Sequence, residues 1–223
     1  MTKRSETTRG RLSRESIIVS AVSLADGEGL EAVTIRRLAQ EHGVTPMAMY
    51  WHFNDKESLL DGLAEYLIEA VKLPEPRDAP WDEQLREILL AFLETIRPHP
   101  RVAGLALRRI LRAESGLRIA ERVLGLLRQA GFPADRAAEA GTFLICSIVT
   151  LANGDAAAGP PPTGEEREQV LRDKRARLES LPPSRYPNVI AAAPALVACR
   201  DEDDYFALNL DLLVQGVRGL HRG

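Results

Sequence analysis

Aromatic residues make up only 5% of the chain, and runs of alternating β-branched residues are almost absent. A sheet would lack both its bulky side chains and its period of two, so strands are not expected. There are two cysteines, Cys146 and Cys199, with no metal spacing between them and apolar neighbours on both sides. They are expected as buried free thiols in a reducing compartment, which points to a cytoplasmic protein. His42, His52, His99 and His221 are scattered, and no His-Glu-x-x-His or Cys-x-x-Cys pair occurs. Gly-x-Ser-x-Gly, the Walker loop and Gly-x-Gly-x-x-Gly are missing too, so neither an enzyme nor a bound metal or cofactor is expected. The longest uncharged run, Ala140 to Gly154, is too short to span a bilayer. The N-terminus is polar rather than signal-like, and no membrane partner is expected.

What is present is helical. Apolar residues are 45% and charged residues 27% of 223, enough for a sizeable core in one large or two small domains. Ala, Leu, Arg and Glu dominate, which gives an all-α fold. Net charge is −3, but its distribution is uneven. Lys3, Arg4, Arg9, Arg11 and Arg14 face only Glu6 in the first fourteen residues. Residues 1–8 read as a solvated terminus, whereas Arg11 and Arg14 lie close enough to the first helix to touch a nucleic acid.

Residues 34–56, TIRRLAQEHGVTPMAMYWHFNDK, carry the most information. Thr34 can cap a helix whose Ile35, Leu38 and Ala39 share one face. Gly43 supplies the left-handed residue that ends it. Thr45 caps the next helix, with Pro46 at its first position, where a missing N–H costs nothing. That second helix is expected from Pro46 to Phe53, with Met49 and Phe53 inward. Tyr50, Trp51 and His52 cannot all be buried with them. A helix, a glycine turn and a helix with outward donors suit a DNA major groove and its phosphates. The same spacing serves a hairpin that only packs on other helices, as in a helical protein–protein interaction module.

The remaining elements follow the same signals. Ser13 starts a first helix with Ile17, Ala21, Leu24 and Ala25 inward, ended by Gly27 and Gly29. Asn54 with Glu57 would form a capping box for a longer helix bearing Leu60, Leu63, Ala64, Leu67 and Ile68. PEPRDAP at 74–80 marks a hinge or boundary. Helices are expected at 81–97, 101–111, 115–130 and 134–157, with a break at Pro98-His99-Pro100. The third should bury Leu117, Ala120, Leu124 and Leu127. The fourth is so apolar that it should be covered on most sides. Thr163 with Glu166 would open a highly charged helix. The segment 189–198 should kink or break at Pro194. A last helix runs over about 203–220.

The stretch LAQEHGVTPMAMYWHFNDKESLLDGLAE resembles the DNA-binding domain of TetR-family transcriptional repressors, tetracycline repressors above all. The likeness is specific in the first quarter of the chain and patchy beyond it. It implies a three-helix DNA-binding domain (1–54), a connecting helix (55–73) and a larger ligand-binding and dimerisation domain (74–223). Carried over by position, it implies that Arg36, Thr45, Met47, Ala48, Tyr50, Trp51, His52 and Lys56 hold a double-stranded operator. Tetracycline repressors meet bases with a glutamine, a proline and a threonine where this chain has Pro46, Met47 and Ala48, so a different operator is implied. The family's metal-binding histidine corresponds to Ala103, with His99 only nearby, which argues against a metal-chelated effector. An apolar small molecule is implied instead, with Phe92, His99, Leu105, Arg108, Phe143, Ser147 and Asn153 as candidate lining residues. A homodimer is implied through a four-helix bundle, with Ile145, Ile148, Phe206, Leu210, Leu213 and Val217 as interface candidates.

Overall fold

The computed structural model describes residues 12–153, 164–197 and 202–221, and every regular element among them is helical. Among these residues no helix is long and apolar enough to cross a membrane. Two compact units can be separated. One holds the described residues up to Asn153 together with those from Leu213 onward, and the other holds the intervening residues up to Leu212.

The first unit opens with α1 (Arg14–Glu28). The Ser13 hydroxyl accepts the Ser16 N–H at 3.1 Å and the Ser16 hydroxyl accepts the Ser13 N–H at 3.0 Å, a reciprocal cap. The helix stops at Gly29, whose φ of +94° excludes most side chains. A 3-10 turn leads into α2 (Ile35–His42), capped by Thr34. Gly43 then turns left-handed, with its own N–H on the Gln40 carbonyl and the Val44 N–H on the Ala39 carbonyl. This pair of bonds satisfies two orphan carbonyls and aims the chain at α3 (Pro46–Tyr50). The helix α3 is shorter than its spacing predicted. The Met49 carbonyl receives both the His52 and Phe53 N–H groups, at 2.9 and 3.1 Å, and the backbone rounds off there.

The next helix, α4 (Lys56–Glu69), is capped one residue later than expected. Asp55 accepts the Ser58 N–H at 2.7 Å and Ser58 accepts the Asp55 N–H at 3.2 Å, so Asn54 and Glu57 do not form the box. Leu59, rather than Leu60, heads its buried stripe. The proline-rich segment after it is pinned, not loose. Arg77 reaches Glu87 at 2.6 Å and the Gln84 amide donates to the Ala79 carbonyl at 2.9 Å. Both partners lie on α5 (Trp81–Ile96).

Beyond the expected break come α6 (Pro100–Arg109), a 3-10 turn at Ile110–Arg112, α7 (Glu114–Gln129) and α8 (Ala134–Asn153). The buried stripe of α7 is Ile119, Val123, Leu126 and Leu127. Leu117 is exposed, and Ala120 and Leu124 are only half-buried; at the helix start Gly116 lies against the Ile110 carbonyl. The apolar stretch of α8 is covered on most sides within one chain, and Thr142, Phe143 and Thr150 are what it leaves exposed. Cys146 on the same helix is a half-buried free thiol, and Cys199 lies outside the described residues.

One apolar core serves the start of the chain and α6 together. Ile17, Ala21, Leu38, Met49, Phe53, Leu59 and Leu63 belong to one buried cluster with Val102 and Leu105. Each of the larger side chains, Ala21 aside, contributes roughly 1.5–3 kcal/mol on burial, so α6 is a structural part of the head. In the second unit, α9 (Gly164–Glu179) packs on α10 (Pro187–Val197). Thr163, expected to cap α9, lies outside the described residues. The helix α10 continues past Pro194, which has no N–H to give to the Ile190 carbonyl one turn earlier. The chain closes with α11 (Glu202–His221).

Candidate nucleic-acid interface and cavity

The geometry of α3 follows from two inward side chains. Met49 and Phe53 are fully buried in the shared core, so the rest of the helix surface must face away. Met47 is 69% exposed, Trp51 86% exposed, and Tyr50 is exposed beside them. Thr45 is exposed at the helix start and Ala48 and His52 are half-buried. An exposed indole, phenol and thioether on two turns of chain cost free energy unless something covers them. The indole N–H and phenol O–H are donors of the kind that meet phosphate oxygens.

Cations flank this surface. Arg36 is exposed on α2 and pairs with no described residue, whereas its neighbour Arg37 is held by Glu28 at 3.0 Å and Glu41 at 3.3 Å. Lys56 opens α4 and lies 3.7 Å from Glu31, a fully exposed partner that a phosphate could replace. The Ser58 backbone N–H, then its hydroxyl, hold the Asp55 carboxyl below its ordinary value of 3.8. Arg14, expected near a nucleic acid, is engaged elsewhere. Its guanidinium lies 5.1 Å from the Phe53 ring centre and 3.7 Å from Glu65. Lys3, Arg4, Arg9 and Arg11 lie outside the described residues.

A cavity of about 300 Å³ lies among α6, the following 3-10 turn, α7 and α8. Leu107, Ile110, Leu111, Ile119, Val123, Leu124 and Ile145 make its walls apolar, and Ala120, Ala138 and Gly141 leave the room. Arg108 and Thr142 are its polar groups, and Arg108 is exposed with no partner among the described residues. Apolar walls with a few convergent polar groups are the usual form of a small-molecule site.

The structure does not gather the expected lining residues here. Arg108 does line the cavity. Phe92 and Leu105 are buried in the core and do not reach it. His99 is turned to α1, with Nδ1 2.6 Å from Asp26. Phe143 borders a separate concave patch with Phe132, Gly216, Val217 and Leu220. Ser147 is half-buried on α8, and Asn153 lies beside Gly104, its amide nitrogen 3.9 Å from the point where a Cβ would stand. Ala120, Gly141 and Thr142 were missed. Their only signal is small size on faces that otherwise read as core.

The interface candidates lie on α8 and α11. Ile145, Ile148, Phe206, Leu210 and Val217 are buried within one chain, and Leu213 is half-buried. The large apolar residues left exposed on the same helices are Phe143 on α8, and Tyr205, Leu208, Leu212 and Leu220 on α11.

Residues 17–63 match the family described as "Bacterial regulatory proteins, tetR family", and residues 73–220 match "Tetracyclin repressor-like, C-terminal domain". The class A tetracycline repressor from transposon 1721 of Escherichia coli is 32% identical over 161 residues, 67% of this chain and 71% of that protein. An HTH-type transcriptional regulator of Saccharopolyspora erythraea is 28% identical over 125 residues, 56% of this chain. The chain spans only about half of that relative's length, 53%. Among solved structures, ActR of Streptomyces coelicolor in complex with actinorhodin superposes with a TM-score of 0.78 at 28% identity, covering 95% of this chain and 99% of that one. BioQ with its double-stranded DNA operator gives a TM-score of 0.58 at 26% identity, covering 66% of this chain and 89% of that one.

Proposed function

The chain belongs to the TetR family of bacterial transcriptional regulators, and we propose that it is a homodimeric repressor released from its operator by a small apolar effector. Members of this family are transcription factors, not enzymes. The observation that carries the DNA reading is the division within α3. Met49 anchors the helix from inside while Met47, Tyr50 and Trp51 stand outside it with Arg36 and Lys56 at the flanks. Tyr50, Trp51, Arg36 and Lys56 hold phosphates, with Thr45 and His52 beside them, while Met47 and Ala48 touch base edges. DNA as the target places its action in the cytoplasm.

A single head of this size buries little DNA, so two copies read the two halves of a palindrome about 34 Å apart. The outward faces of α8 and α11, through Phe143, Leu208, Leu212 and Leu220, join the copies. The effector enters the cavity between α6, α7 and α8. Its body is apolar, and an acidic or carbonyl group meets Arg108 and Thr142. The likeness to ActR, crystallised with actinorhodin, supports a small-molecule effector.

The test begins by selecting an operator from random DNA and screening apolar acids and carbonyl compounds for release. Calorimetry then measures the active compound with and without operator. Linkage requires operator to weaken effector binding by the factor with which effector weakens operator binding, about 5–150-fold. Equal affinities in the two titrations would contradict effector-driven release.

A further inference from the structure

We infer that Arg109 is the positioning residue that links the cavity to the DNA-facing head; this rests on the effector reading above. Arg109 sits where α6 ends, and its backbone, at φ −120° and ψ −3°, turns the α-helix into the 3-10 segment. Its neighbours on both sides, Arg108 and Ile110, line the cavity. Arg109 itself points the other way. Its Nη2 donates to Glu57 at 2.8 Å and its Nε to Asp61, both on α4. The Arg109 side chain is only 11% exposed, while Glu57 and Asp61 stay 76% and 46% exposed, so the fork is held from the arginine side and screened on the carboxylate side. Glu57 and Asp61 are one helical turn apart, and a planar guanidinium that holds both fixes the rotation of α4 as well as its position. The turn it fixes begins at Lys56.

Two further features prevent the cavity wall from yielding locally. A Cβ on Gly116 would lie 1.7 Å from the Ile110 carbonyl oxygen, so α7 is braced directly on the backbone beside Arg109. At the far end of α6, His99 holds Asp26 at 2.6 Å and Arg101 donates to the Gly27 carbonyl at 3.1 Å. With its start tied to α1, a push on the other end of α6 tilts the helix instead of sliding it. The tilt displaces Arg109, and α4 either follows or loses the fork. Losing it also leaves two carboxylates unneutralised beside the phosphate-facing turn.

The experiment needs no identified ligand. Thr142→Trp and, separately, Ala120→Phe fill the cavity as a built-in occupant. Operator affinity is measured for each filler alone and combined with Arg109→Met, with thermal unfolding as the check on folding. In the wild-type background a filler weakens operator binding by about 5–150-fold. With Arg109→Met it has less than about a twofold further effect, whatever that variant does alone. Arg109→Lys, a point charge that cannot grip both carboxylates, retains an intermediate response. Glu57→Gln with Asp61→Asn uncouples in the same way from the other side, which covers the case of a poorly folded Arg109 variant. Equal weakening in all backgrounds overturns the role of Arg109 and leaves the effector reading standing. No weakening by either filler in a folded wild-type background overturns both, and leaves only the DNA-contacting role of α3 in place.

Discussion

Two methionines in one five-residue helix give a sharp test of how α3 is mounted. Met49 is 0% exposed and Met47 69% exposed. Met49→Ala loses the transfer free energy of a buried thioether chain and leaves a void against Phe53 and Leu38 in the same cluster. Such truncations cost about 2–5 kcal/mol. For a unit of this size each kcal/mol lowers Tm by roughly 2–4 °C, so a fall on the order of 4–20 °C is expected. Met47→Ala removes a solvated side chain and should change stability by less than about 0.5 kcal/mol. Operator binding separates them in a second way. Met49→Ala weakens it through a loosened α3, and the loss shrinks on cooling or with stabilising osmolyte, whereas the loss from Met47→Ala persists. Urea unfolding and fluorescence anisotropy measure the two quantities. A Met47→Ala protein destabilised as much as Met49→Ala would refute the placement of the helix.

Gly116→Ala forces a methyl group into the Ile110 carbonyl, and overpacking of this kind costs about 1–3 kcal/mol or more; unchanged urea stability would contradict the close approach. Leu212→Glu places a charge on the exposed apolar face of α11 and should give folded monomers in sedimentation velocity, while an intact dimer would remove that face from the interface. Because its folded pKa is lowered, Asp55 contributes stability that is present above its ordinary value of 3.8 and disappears as pH falls through the lowered one. Asp55→Asn should therefore flatten the acid limb of a Tm–pH curve, and an unchanged limb would show that the cap carries no charge-dependent stability.

The helix-turn-helix was legible because its signals are local. The caps at Ser13, Thr34 and Thr45 and the left-handed Gly43 are each settled by partners within a few residues. The box at Asp55 was misread by one residue because Asn54 offers the same chemistry and only the backbone decides between them. The faces of the long helices were harder. Periodicity picks out Phe206, Leu210 and Val217 as one stripe, but it cannot say whether the same chain or a second copy covers it. The cavity was invisible for a related reason. Ala120, Gly141 and Thr142 form it by being small, and missing volume leaves no pattern in a sequence. Arg109 could not be distinguished from Arg108 or Arg112, since its partners lie 48 and 52 residues away.

The central claim is that α3 and its flanking cations grip DNA, and the most direct measurement is the salt dependence of operator affinity. Dissociation constants are determined between about 50 and 200 mM salt for wild type, Lys56→Ala, Arg36→Ala and Trp51→Ala. Each lost cationic contact should reduce the slope of log affinity against log salt by roughly 0.9. Trp51→Ala should weaken binding with an unchanged slope, because the indole carries no charge and releases no counterion. Wild-type slopes and affinities in all three variants, with the fold intact, would contradict the claim.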